Sequence, residues 1–202
     1  ALLQTVQDAL LLDTARAVTI ITIDDVWRKN SRTLPEVLME EAGVFVQQTN
    51  YGSGAPIIRG LMGKEILILI DGVRVNNALY RTGPIQYLAT IDLAMVERIE
   101  VVRGVVSVLG SDALGGTINI VTRKGATQDL VPGSHGRVQA RYSSADRAPS
   151  GRAEAYGQAG RFRLLGGASY RHSDDVTGGG DLGRQAATGY DELGANLFAE
   201  YS

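Results

Sequence analysis

Chemistry needs side chains that can attack, ligate or move protons at a workable spacing, and this sequence is sparing with them. It has no cysteine and two histidines. His135 and His172 lie far apart and lack ligand spacing, and without thiolates neither disulfides nor cysteine metal sites can form. No nucleophile stands with a base in a recognisable arrangement. The glycine-rich runs "GSGAP" and "LGGT" lack the Lys-Ser/Thr ending of a phosphate loop. These residues argue against an enzyme and call for no cofactor and no resident metal. The polar residues that stand out lie in "VERIEVVRG" (96–104), where Glu97, Arg98, Glu100 and Arg103 are threaded through valines and an isoleucine. Such a strand has one face for a dry core and another for a polar environment.

The chain that must position this strand is 202 residues long, 44% hydrophobic and 21% charged, enough for one or two folded domains. A net charge of -2 gives no basic field, so nucleic acid is not expected as a partner. The longest dense apolar run is "ILILI" at 66–70, a strand length. A membrane barrel stays open, since its strands need only ~9–11 residues of alternating pattern.

Residues up to about 125 read as a compact mixture of short helices and strands. "TIITI" (19–23) is a strand followed by a helical turn around Asp24–Lys29. In "TLPEVLMEEAG", Thr33 can cap a helix, Glu36 completes a capping box, and Gly43 can close it in the left-handed region. "VFVQQ" (44–48) is extended, and "NYGSGAP" (50–56) reads as a loop. "EILILIDGVRV" (65–75) is a hairpin turning at Asp71-Gly72. Asp92 can cap a short helix before the strand at 96, and "GGTINIVTRKG" (115–125) supplies another strand. Gly60, Gly72, Gly104, Gly110, Gly115 and Gly116 sit at ends of extended segments, where turns with positive φ are expected.

After "DLVPGSH" (129–135) the pattern changes, and more than half of the aromatic residues and glycines lie from Gly133 onward. In "RFRLLGGASYR", Phe162, Leu164, Gly166, Ala168 and Tyr170 fall on one face. Arg161, Arg163, Ser169 and Arg171 fall on the other, with Leu165 an exception. "ELGANLFAEY" sets Leu193, Ala195, Leu197, Ala199 and Tyr201 against Glu192, Asn196 and Glu200, and "RVQARY" does the same with Val138, Ala140 and Tyr142. A two-residue turn at Gln158-Ala159 would pair Ala155 with Phe162 and Ala153 with Leu164. The connections alternate: 143–150 is moderate, the next is tight, and 172–189 is long and polar. An antiparallel soluble sheet with one wet face would also alternate. Small outward residues bounded by Tyr and Phe favour a lipid face with aromatic girdles.

Taken together, "PIIRGLMGKEILILIDGVRVNN", "IDLAMVERIEVVRG" and "GSDALGGTINIVTRKG" resemble, in this order, the plug domain of TonB-dependent outer-membrane receptors. The upstream "LLDTARAVTIITIDDVWRKNSRTLPEVLMEEAGVFVQ" is similar to that family's plug opening. The resemblance implies an α+β plug, a small mixed sheet with short helices, followed by the first strands of an antiparallel transmembrane β-barrel that is incomplete in this chain. The expected division is an N-terminal periplasmic tail over 1–18, the plug over 19–128, a linker over 129–135 and about four barrel strands over 136–202. Four strands cannot close around such a plug, so a longer protein or a completing chain is expected.

The function implied is uptake of a scarce nutrient of the ferric siderophore, haem or cobalamin class, across the bacterial outer membrane, coupled to the TonB protein. Partners would be TonB, outer-membrane lipid, a metal-chelate or porphyrin/corrin ligand, and the remainder of the barrel. Ligand contact is expected from apical loops carrying Asn50, Tyr51, Met62, Lys64, Tyr80, Arg81, Gln86 and Tyr87. Aromatic rings beside an arginine suit a flat or anionic chelate. Arg59, Glu97, Arg98, Glu100 and Arg103 would face the barrel wall. The family usually has a proline where Val105 stands and a tyrosine before Gly110, and "LQTV" (Leu3–Val6) is a poor match to its energy-coupling box. A receptor-derived scaffolding component that does not transport is the alternative reading.

Overall fold

In the computed structural model the described residues are 17–50, 53–75, 87–104, 113–124, 134–144 and 146–201. They form two compact units that divide between Thr122 and Arg123. The first begins with strand β1 (Ala17–Thr22), helix α1 (Ile23–Lys29) and helix α2 (Leu34–Met39). Strands β2 (Val44–Asn50), β3 (Ser53–Ile58), β4 (Leu61–Met62), β5 (Ile66–Ile70) and β6 (Val73–Arg74) follow. Strands β7 (Val96–Arg103) and β8 (Gly116–Thr122) complete it. Five of these strands make one mixed sheet in the order β1-β7-β8-β5-β6, with β5 and β8 parallel, and β2-β3-β4 form a second, antiparallel sheet.

The five-stranded sheet buries apolar residues on both faces, as a parallel pair at its centre requires. Ile66 and Ile68 join Ile21, Ile99, Val101, Ile118 and Ile120 in the main core, under Leu34, Val37 and Leu38 of α2. Leu67 and Leu69 point the other way, into a small cluster with Ala113 and Val102. The "ILILI" run is therefore apolar throughout because neither side of β5 meets water.

Helix punctuation differs from expectation. Thr33 is the N-cap of α2, but its hydroxyl makes no capping bond and is buried without a hydrogen-bond partner. Pro35 has no N–H to offer it. The Glu36 carboxylate accepts instead from the Arg32 backbone N–H at 2.7 Å and from the Arg32 guanidinium. The capping box forms at α1, where Thr22 and Asp25 satisfy each other's backbone N–H groups. Those bonds from Thr22 hold the Asp25 carboxyl below its ordinary value. Nor does Gly43 close α2, which stops at Met39; with φ of 77° it instead turns the chain into β2. Lys29 of α1 reaches Glu41, just beyond the end of α2, at 2.9 Å, a bond that raises the lysine's pKa.

The stretch 50–56 is not all loop, because Ser53–Ile58 pairs along β2. Arg59 and Gly60, with φ of 54° and 78°, make the two-residue turn into β4. Asp71 and Gly72 make the expected turn between β5 and β6, with φ of 51° and 80°. The Asp92 side chain accepts from the Ala94 N–H and starts the short 3-10 turn before β7.

The second unit is a four-stranded antiparallel sheet in the order β14-β11-β10-β9. Its strands are β9 (Ser134–Ser143), β10 (Ala148–Ala159), β11 (Phe162–Ser173) and β14 (Tyr190–Tyr201). A small hairpin of β12 (Thr177–Gly178) and β13 (Gly183–Arg184) lies in the long connection. The first link is shorter than the 143–150 expected, being only 144–147. The tight turn sits at Gly160-Arg161, not Gln158-Ala159. Ala155 therefore pairs with Gly166, and Ala153 with Ala168. Gly160 adopts the left-handed φ of 59° that such a turn demands. The register moves by an even number of residues, so each paired side chain keeps its face. The outward set is open, with Val138 and Leu193 each 82% and Leu197 75% exposed.

Candidate plug network and wall face

The charges of β7 do not share one face. A bulge at Glu97 interrupts the pairing with β8, and beyond it Arg98, Glu100 and Val102 point to one side while Ile99, Val101 and Arg103 point to the other. Arg98 donates to Glu100 at 2.8 Å and to Glu97 at 3.2 Å. Glu100 is itself buried and accepts from the Asn119 side-chain amide at 2.9 Å. Arg103 instead donates to the Thr19 hydroxyl at 2.7 Å and lies against Gly43. Three of the four charges thus interact among themselves, and the fourth belongs to the β1 side. Arg59 is exposed, with its guanidinium close over Gly104.

Asp71 does more than turn the chain. Its carboxylate accepts from the Thr122 N–H at 2.9 Å and from the Thr122 hydroxyl, while Asn119 accepts from the Gly72 N–H. This locks the hairpin end onto β8, and nothing in a local reading of "DGVRV" points to it. Gly104 does adopt a positive φ, 109°. Gly115 and Gly116 do not, so the turn expected there is corrected to a requirement for space. A Cβ on Gly116 would stand 2.5 Å from the Val102 carbonyl oxygen, and one on Gly115 3.0 Å from that of Ile58. Gly110 and Val105 lie outside the described residues.

Of the expected ligand contacts, Met62 ends β4, half-buried, and Lys64 is exposed in the adjacent 3-10 turn. Asn50 ends β2, and Tyr87 opens the 3-10 turn Tyr87–Thr90. Tyr51, Tyr80, Arg81 and Gln86 lie outside the described residues, as does Leu3–Val6. Among the described residues no group of histidine and carboxylate side chains could hold a metal ion.

The four-stranded sheet carries its arginine–glutamate pairs on the face opposite the apolar one, while Asp191 bonds Tyr170 and His172 at one end of the apolar face. Arg163 pairs with Glu200 at 2.7 Å and Arg171 with Glu192 at 3.3 Å, each directly across from its partner on the neighbouring strand. At the sheet centre two guanidinium groups converge on one carboxylate: Arg152 Nε and Arg123 Nη2 lie 3.1 and 3.2 Å from the same Glu154 oxygen. Arg152 also donates to Asn196. The alternation in "GRAEAY", with Arg152, Glu154 and Tyr156 on one face, could have flagged this cluster. In the long connection, Asp175 accepts from the Gly189 and Thr188 N–H groups at 2.9 and 3.0 Å and from Arg184 at 3.0 Å. Those backbone bonds and the nearby guanidinium hold its carboxyl below the usual carboxylate range.

A small mixed sheet with two short helices, followed by long antiparallel strands that are apolar outside and ion-paired on the other face, defines a plug and the opening strands of a membrane barrel. Residues 11–117 match the family described as the TonB-dependent Receptor Plug Domain. The chain is 30% identical over 202 residues to the vitamin B12 transporter BtuB of Vibrio vulnificus, a match covering 95% of this chain and 30% of that protein. Among solved structures, the siderophore receptor PirA from Pseudomonas aeruginosa is 25% identical with a TM-score of 0.61, covering 94% of this chain and 33% of that one. The copper transporter OprC is 17% identical with a TM-score of 0.72, covering 92% and 28%. The chain belongs to the TonB-dependent receptors, whose members are outer-membrane β-barrel proteins of Gram-negative bacteria. It spans 30% of the length of the curated relative.

Proposed function

We propose that the protein is a ligand-gated uptake receptor of the outer membrane, coupled to TonB, whose plug spans 19–128 and whose wall strands begin at 136. The observation that carries this reading is the pairing, in one chain, of a plug-family sheet with strands that present 75–82% exposed leucine and valine on one face and ion pairs on the other. The ligand class is a scarce metal chelate or corrinoid, in keeping with relatives that carry vitamin B12, siderophore or copper. Asn50, Tyr51, Met62, Lys64, Tyr80, Arg81, Gln86 and Tyr87 are assigned to ligand contact. Arg59 and the half-exposed Glu97 are the charges best placed to meet an acidic or basic wall residue, with Arg98, Glu100 and Arg103 behind them. Transport then consists of binding followed by force-driven rearrangement of the plug, with no covalent step.

The test is uptake of labelled cyanocobalamin and of ferric siderophores by cells with and without the gene. Uptake that requires the gene and stops when the proton gradient is collapsed supports the proposal. Binding of every such compound unchanged by deletion of the gene refutes it.

A further inference from the structure

Arg161 lies on the unexpected side of the sheet. By alternation it belongs with Arg163 and Arg171, which pair with Glu200 and Glu192. Instead it occupies the tight turn beside Gly160, and its guanidinium lies 5.7 Å above the ring of Tyr201 on the apolar face. Tyr201 in turn packs against Phe162, its cross-strand partner, with ring centroids 4.8 Å apart. Both rings are more than 60% exposed, and among the described residues no carboxylate forms an ion pair with Arg161. The result is a cation held by an aromatic pair at the end of an apolar face.

A cation in that position needs an anion that arrives from the same side as hydrocarbon. Short turns of outer-membrane barrels face the periplasm, and aromatic girdles mark the depth of the headgroups. The Gly160-Arg161 turn is two residues long, whereas the connection at the other end runs over 174–189. We infer that Arg161, Tyr201 and Phe162 form a binding site for the phosphate of a glycerophospholipid in the periplasmic leaflet. The guanidinium donates to the phosphate oxygens, and the acyl chains lie along Leu164, Leu197 and Ala199. The aromatic pair fixes the guanidinium at headgroup depth, a role that a freely rotating lysine fills less well.

The inference rests on the outer-membrane reading, and the experiment separates the two. The intact protein, purified from outer membranes in non-ionic detergent, is titrated with phosphatidylglycerol and the retained lipid is counted by native mass spectrometry. Arg161→Gln should lose one retained lipid, with about five-fold weaker affinity, while Arg163→Gln on the opposite face should retain it. Arg161→Lys should fall between. Equal retention by wild type and Arg161→Gln overturns the site and leaves the uptake reading untouched. Displacement of the lipid by millimolar glycerol 3-phosphate also overturns it, because the site would then read a free phosphate. Failure of the protein to fractionate with the outer membrane overturns both readings.

Discussion

Glu154 is the residue whose loss the structure expects to hurt most in the four-stranded sheet. It stands between two guanidiniums, and the side chains of Arg152, Glu154 and Arg123 are only 3%, 10% and 13% exposed. Truncation to alanine leaves both cations desolvated and without this carboxylate, although Arg152 keeps its bond to Asn196. Breaking a buried pair by removing one partner costs about 3–5 kcal/mol. At about 3 kcal/mol the folding equilibrium shifts roughly 150-fold. Glu154→Gln keeps an acceptor and should cost less. Arg123→Gln combined with Glu154→Gln should recover part of the loss, because only one cation then remains. The comparison is the pair Arg163–Glu200, whose side chains are 28% and 39% exposed; Glu200→Ala there should cost about 0–1 kcal/mol. Urea unfolding of the intact receptor in lipid vesicles, followed by heat-modifiable gel mobility, reads both. If Glu154→Ala is no more destabilising than Glu200→Ala, the burial argument is wrong.

Three further outcomes follow from the same geometry. Gly116→Ala should cost upwards of about 1–3 kcal/mol through overpacking against the Val102 carbonyl, whereas Gly60→Ala, with open space and a φ of 78°, should cost only about 1–2 kcal/mol of backbone strain; hydrogen exchange at the β8 amides distinguishes them. Leu197→Arg, at the middle of the outward face, should destabilise the bilayer-embedded protein by about 2–4 kcal/mol, and retention of full stability in vesicles would refute a lipid face. Asp175 has a lowered folded-state pKa, so its contribution is present above the ordinary carboxylate range of about 4 and is lost as pH falls through the lower, folded value. The connection 174–189 should therefore become protease-sensitive in that acid window, and Asp175→Asn should be sensitive at neutral pH.

The features that were legible in the sequence are those fixed by alternation or by a two-residue turn. "ILILI", "DG" and the outward sets around Leu164 and Leu197 each report on their own neighbours, and the even register shift at Gly160-Arg161 keeps the paired residues on their expected faces, while Arg161, drawn into the turn, leaves its own. What was hidden depends on contacts distant in sequence. Asp71 reaches Thr122, Glu100 reaches Asn119 and Glu154 reaches Arg123, none of which a local pattern encodes. Thr33–Glu36 has the letters of a capping box but does not form one, because Pro35 removes a donor and Arg32 captures the glutamate. The site loops are a separate matter, since Tyr51, Tyr80, Arg81 and Gln86 lie outside the described residues.

Both halves of the chain meet the same physical demand in different media. In β7 the charges between apolar residues are satisfied mostly within the sheet, and Glu100 is buried because Arg98 and Asn119 supply its hydrogen bonds. In β11 the arginines on one face are satisfied across strands; among the described residues the opposite face carries Asp191, which is taken up by Tyr170 and His172 at the far end of the strands and forms no ion pair with Arg161. Arg161 tests the distinction, since its guanidinium has a ring beneath it and needs its counter-charge from outside the sheet. On a water-facing sheet, solvent would serve and replacement by glutamine would change nothing measurable. At a headgroup boundary the same replacement removes a lipid.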